Sequence, residues 1–222
     1  MANPVLAENE IYHVVNRGLD RRPVFLNHWD FIRAWRTLDF YRFKKSDLNL
    51  AKVLVLAKKA KENFLADLHK DNNKLIEVLS YCFMPNHFHF LLKQKQENGI
   101  STFLSNFTNS YTRYFNTRCK RRGRLFEGVF KAVRIETEEQ LVHASRYIHL
   151  NPVVSSVVKE YELDNYRWSS LPEYLGKQKE LEICDKEVIL NNFSSEQDYQ
   201  TFVHDQIEYG RELESIKHLL LE

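Results

Sequence analysis

Cysteine is scarce in this sequence. Cys82, Cys119 and Cys184 are odd in number, widely scattered and form no zinc-type pair, so they are expected as free thiols in a reducing cytosol. Glycine and proline are also few, at 6 and 5 of 222 residues, and no segment has the composition of a disordered chain. Long apolar runs are missing. The longest, such as Val53-Leu-Val-Leu-Ala57, fall far short of a bilayer's thickness, which excludes a membrane-spanning helix. The first ten residues, Met1 to Glu10, lack a basic start followed by an apolar stretch, so no signal peptide is expected and the protein is placed in the cytoplasm.

What is present is enough for a core: 43% hydrophobic and 13% aromatic residues. The length suits one large domain with an extension. Net charge is only +2, but it is unevenly spread. Residues 177–222 carry a net −6 and residues 1–176 a net +8. Between Arg113 and Arg134 eight Lys/Arg face the single Glu127, which is the footprint of a polyanion partner.

Along the chain, Ile11 to Gly18 reads as a strand closed by a glycine. Asn27 is placed to cap a helix spaced by Trp29, Phe31, Ile32, Trp35, Leu38 and Phe43. A second helical stretch is expected from about Asp47 to His69, its lysines forming a solvated face. Ser101 can cap a helix carrying Phe103, Leu104, Phe107, Tyr111, Tyr114 and Phe115. Leu125 to Ile135 is expected to be a strand with a glycine bend. Thr137, followed by Glu138 and Glu139, marks the start of a helix that should stop near Asn151, because Pro152 cannot continue it. Residues 177–222 look like two or three small acidic helices, giving domains 1–176 and 177–222. Interleaved strands and helices point to an α+β fold.

Two patterns carry chemistry. Tyr81-Cys-Phe-Met-Pro-Asn-His-Phe-His-Phe-Leu-Leu92 reads as a strand, so His87 and His89 share one face while Phe88 and Phe90 enter the core. Two imidazoles on a rigid element suit a divalent metal; the alternative is two solvent-facing histidines. On the helix Thr137–Asn151, His143, Tyr147 and Asn151 form one stripe at i, i+4 and i+8. Tyr147 is a possible nucleophile and Asn151 a possible amide-oxygen ligand, with magnesium or manganese suited to such a donor set. The competing reading is a core tyrosine and a C-capping asparagine.

Four segments then fall in one order: Tyr12-His-Val-Val-Asn-Arg-Gly18, Met84-Pro-Asn-His-Phe-His-Phe-Leu-Leu92, Gly123-Arg-Leu-Phe-Glu-Gly-Val-Phe-Lys131 and Tyr147-Ile-His-Leu-Asn-Pro-Val153. Together they resemble the single-tyrosine HUH transposases of the insertion-sequence-200-like superfamily, most closely the REP-associated tyrosine transposases, over about residues 8–175. The resemblance implies a ferredoxin-like antiparallel sheet with flanking helices, the HUH endonuclease fold. It also implies His87, His89 and Asn151 as ligands of Mg2+ or Mn2+, and Tyr147 as the catalytic tyrosine. Val129 departs from the pattern, where a basic residue is expected. The lysine-rich stretch 45–72 maps onto no function of the family.

The implied activity is metal-dependent nicking and rejoining of single-stranded DNA at hairpins such as REP elements, through a 5′-phosphotyrosine intermediate. His143, one turn before Tyr147, could hydrogen-bond or deprotonate it; His149 points to another face and is excluded as a ligand. Arg113, Arg118, Lys120, Arg121, Arg122, Arg124, Lys131 and Arg134 are expected on the DNA backbone, with Arg17 a lesser candidate. Tyr111 and Tyr114 are expected in the core, with base stacking as the alternative. The protein is expected near the nucleoid, as a monomer or homodimer. Two other classes compete. One is a catalytically silent module that binds DNA or RNA hairpins. The other, a zinc hydrolase, lacks an evident acidic ligand near His-x-His.

Overall fold

The computed structural model describes residues 4–44, 47–178 and 182–211. Among them, four strands build one antiparallel sheet in the order β2-β3-β1-β4. These are β1 (Ile11–Arg17), β2 (Ile76–Met84), β3 (His87–Gln94) and β4 (Lys131–Ile135). Strand β1 pairs β3 and β4 on its two sides, with Val15 opposite His89 and Arg17 opposite His87. The expected single strand around the histidines is instead a hairpin. Residues 81–84 end β2, Pro85 and Asn86 turn, and His87 begins β3. Pro85 has no amide hydrogen to give a ladder, which is why the strand breaks there.

The helices are α1 (His28–Tyr41), α2 (Leu50–Leu54), α3 (Lys58–Asp71), α4 (Gly99–Arg118), α5 (Glu138–Val154), α6 (Leu171–Tyr174), α7 (Glu187–Leu190) and α8 (Glu196–His204). Asn27 caps α1, accepting from the amides of Trp29 and Asp30, and Thr137 caps α5, accepting from Gln140. Four expectations are corrected. The stretch from Asp47 to His69 divides into α2 and α3 around residues 55–57. Helix α4 starts at Gly99 rather than after Ser101, because its first residue packs where a Cβ would come within 2.2 Å of the Leu75 carbonyl oxygen. Residues 125–130 are irregular, leaving only Lys131–Ile135 as strand. Helix α5 runs on through Pro152 to Val154, since proline in the last turn forfeits one amide hydrogen bond without unwinding the end.

Each face of the sheet has its own core. Tyr12, Val14, Tyr81, Phe83, Phe88, Phe90 and Leu92 pack under α1 and α4 against Trp35, Leu38, Phe103, Phe107 and Tyr111. On the other face, Cys82, Met84 and Leu91 meet Ile148 and Leu150 of α5, with Tyr174, Ile189, Tyr199 and Val203 behind. Residues of α7 and α8 thus belong to the core that seats α5. As read from the lysines of α3, that helix buries no side chain. The three cysteines are free thiols, and no helix among the described residues is long and apolar enough to cross a membrane.

Candidate active site

The second face of the sheet positions the histidines. Alternation along β3 sends Phe88 and Phe90 into the first core and turns His87 and His89 toward α5. Their rings lie 4.8 Å apart, edge to face. His89 is buried, 5% exposed. Asn86 Oδ1 is 2.6 Å from His87 Nδ1, a hydrogen bond that orients the first imidazole.

Helix α5 brings Tyr147 across the sheet to the same place. Its ring lies 5.6 Å from that of His89, edge on, and the residue stays 44% exposed, open to an incoming strand. Asn151, nearly buried, follows one turn later and donates its amide N–H to the Tyr147 carbonyl at 2.8 Å. That bond ties the amide nitrogen to the helix, so Oδ1 is the end that could hold a cation. The histidines and tyrosine, distant in sequence, are brought together as expected.

The other polar residues of α5 are placed elsewhere. His143 Nδ1 lies 2.6 Å from an Arg146 guanidinium nitrogen and its ring packs on Phe202. It is therefore engaged along α8, which argues against the base role. His149 is fully buried between Tyr199 Oη at 2.8 Å and Ser170 Oγ at 2.7 Å, and burial lowers its pKa to about 3. Both of its ring nitrogens are thereby engaged, one by α8 and the other by Ser170.

One neighbour escaped the sequence reading. His13 of β1 places Nε2 3.0 Å from His89 Nδ1, with the rings nearly parallel and their centroids 5.2 Å apart, and meets the Tyr147 ring at 5.8 Å. Burial lowers its pKa to about 4, so it is neutral at physiological pH. The available signal was β1's alternation: the even positions Tyr12 and Val14 are core, so His13 must face the site side.

Among the described residues no group of three or more His, Cys, Asp or Glu is placed to hold a metal ion. The donor set on offer is two imidazoles and one amide oxygen. It carries no charge, so it fits a hard divalent cation whose remaining positions and charge are met by phosphate oxygens and water.

The basic run divides once its partners are visible. Arg118 donates to the fully buried Asp30 at 2.7 Å, Arg134 pairs with Glu10 at 2.8 Å, and Arg17 with Glu127 at 2.5 Å. Arg121 donates to Asn116 Oδ1 and the Arg124 carbonyl, bracing the turn. Lys120, Arg122, Arg124 and Lys131 are left largely to solvent. Arg113 lines a cavity of about 760 Å³ between α1, α2 and α4, together with Arg33, Lys52 and Arg118. Tyr111 is core, donating to the Val24 carbonyl at 2.6 Å, and Tyr114 donates to Asp30. Val129 is 74% exposed.

Residues 51–151 match the family described as transposase, IS200-like. That stretch runs from α2 through β2, β3, α4 and β4 and ends on Asn151, so it contains both histidines and Tyr147. A solved structure of a REP-associated tyrosine transposase bound to a REP hairpin matches with a TM-score of 0.53 at 13% identity, covering 88% of this chain and 95% of that chain. At that identity the likeness is one of fold: the four-stranded antiparallel sheet with flanking helices is common to both. Among curated proteins none matches the sequence.

Proposed function

We propose that this chain is an IS200-like transposase that nicks and rejoins single-stranded DNA at hairpins, with Tyr147 as nucleophile and His87, His89 and Asn151 as ligands of Mg2+ or Mn2+. The observation that carries the reading is the meeting of an exposed tyrosine with a His-x-His pair, their rings 5.6 Å apart across α5 and β3.

In the proposed reaction the Tyr147 hydroxyl gives its proton to solvent, its oxygen attacks the scissile phosphorus and the P–O3′ bond breaks. The 5′-phosphate is left on tyrosine, and the departing oxygen takes a proton to become a 3′-hydroxyl. A bound divalent cation supplies charge neutralisation at the phosphate. The protein's contribution is orientation. Helix α5 holds the phenol at a fixed distance from β3, and the bond from Asn151 to the Tyr147 carbonyl ties nucleophile and ligand to one helical turn. Attack by another 3′-hydroxyl on the phosphotyrosine reverses the step and needs no energy source, since one phosphodiester is conserved. Lys120, Arg122, Arg124 and Lys131 would neutralise phosphates of the flanking strand.

The test is a labelled DNA hairpin with a single-stranded extension, incubated with Mn2+ and resolved on a denaturing gel. A metal-dependent covalent protein–DNA band, absent in Tyr147→Phe, is expected. Tight hairpin binding without any band over several hairpins would make the protein a binding module. A band that survives in Tyr147→Phe would move the nucleophile to another residue.

A further inference from the structure

We infer that His13 is a positioning residue, which holds His89 in the tautomer that can ligate a metal. The inference rests on the metal reading above and adds a residue outside the ligand set and outside the matched family segment. Val15 is the direct cross-strand partner of His89, and His13 is the partner of Leu91. His13 is therefore the diagonal neighbour of His89 on the same sheet face, at the spacing where long side chains meet.

The geometry gives the pair a direction. A hydrogen bond between two imidazole nitrogens needs one N–H and one lone pair. His13 Nε2 and His89 Nδ1 are 3.0 Å apart, so one of them carries the proton. If it is His13 Nε2, His89 Nδ1 is the acceptor, the proton of His89 sits on Nε2, and neither nitrogen of His89 has a lone pair for a cation. If it is His89 Nδ1, the lone pair of His89 lies on Nε2 and can ligate. Only the second arrangement is competent. It requires His13 to carry its proton on Nδ1 and to accept through Nε2. The rings lie nearly parallel, with centroids 5.2 Å apart and an interplanar angle of 19°, the edge-to-edge arrangement that an in-plane bond between ring nitrogens requires. Partners of this kind set the tautomer and basicity of ligating histidines, and their loss costs roughly 10–100-fold in metal affinity.

His87 is oriented by a different device, the side chain of Asn86. The two ligands are thus set by separate neighbours on separate elements, and removing one should leave the other intact. His13 also meets the Tyr147 ring edge, so a flat replacement is needed to keep that wall in place. Phenylalanine keeps a flat ring beside His89 and Tyr147 and removes the acceptor. Glutamine restores an acceptor without the ring.

The experiment reads the site before any DNA is cut. Long-range proton–nitrogen NMR of the metal-free protein reports which His89 nitrogen is protonated, and electron paramagnetic resonance with Mn2+ alone gives its affinity. Hairpin binding in EDTA serves as the folding control. The expected result is His89 protonated at Nδ1 in the wild type, an Mn2+ affinity roughly 10–100-fold lower in His13→Phe, and substantial recovery in His13→Gln. Hairpin affinity in EDTA should be equal in all three. His89 protonated at Nε2 in the wild type, or His13→Phe binding Mn2+ as the wild type does, would overturn the inference and leave the proposed function standing. A wild type that binds the hairpin but takes up no Mn2+ would overturn the metal reading and the inference with it.

Discussion

Arg118 lies in the most basic stretch of the sequence, yet its replacement by alanine should act on stability before it acts on DNA. Its guanidinium donates at 2.7 Å to Asp30 Oδ2, and Asp30 is wholly buried at the first turn of α1. Two other donors reach the same carboxylate, the Leu26 amide at 2.9 Å and the Tyr114 hydroxyl at 3.1 Å. Removing one partner of a buried ion pair costs about 3–5 kcal/mol when the remaining charge is stranded. Here the carboxylate keeps two donors, and the arginine side chain is one-third exposed to screening solvent. We therefore expect a loss of about 2 kcal/mol, or a melting temperature lower by roughly 4–8 °C. Urea unfolding measures the first number, and hairpin affinity across a salt series measures the alternative. For Arg118→Ala the slope of log K against log salt should stay at the wild-type value. Arg124→Ala, on the solvent side of the turn, should reduce that slope by about 0.7–0.9 while changing stability by less than about 0.5 kcal/mol. A variant at Arg118 with wild-type stability and a shallower slope would refute the reasoning.

Two more outcomes follow from single side chains. Glu173 is 1% exposed, and burial pushes its carboxyl up to about 7, with Oε1 accepting the Cys184 amide and Oε2 buried without a partner. Its folded pKa is raised, so folding favours the protonated form; its contribution is most favourable below about pH 4.5 and declines as pH rises toward 7. The gain in unfolding free energy on Glu173→Gln should hence be greater at pH 8 than at pH 5 by roughly 2 kcal/mol, and an equal difference at both pH values would exclude an ionised Glu173 as the cause. Val129→Arg, at an exposed site on the irregular segment before β4, should strengthen hairpin binding at low salt and steepen the salt slope by about 0.7–0.9, read by fluorescence anisotropy.

The site was legible where chemistry and periodicity coincide. His-x-His bounded by phenylalanines fixes which way the imidazoles turn once the segment is extended, and the capping of α5 by Thr137 fixes the register in which Tyr147 and Asn151 share a face. What was not legible depended on partners distant in the chain. Arg17, Arg118 and Arg134 look like open cations in sequence, because Glu127, Asp30 and Glu10 approach them only through the fold. His13 reads as an ordinary strand residue until β1 is laid beside β3 in a definite register. His143 shares a stripe with Tyr147 in the helical spacing, but α8 supplies Phe202 as a platform that draws its ring aside. The turn at Pro85 and Asn86 was hidden by the apolar residues on both sides of it, which extend the pattern of a single strand.

The buried polar bonds on the back of α5 bear on how the sequence can vary. Tyr199 Oη bonds Ser145 Oγ and His149 Nδ1, and Ser170 Oγ holds the other nitrogen of the same histidine. These contacts index the rotation of the helix about its own axis, since turning α5 by one residue would swing it about 100° and unmake all three. The phenol on the front is aimed by bonds on the back. If Tyr147 is the nucleophile proposed above, residues of α8 are thereby coupled to its direction of attack, and the freedom of that helix to vary is limited by a geometry on the far side of α5.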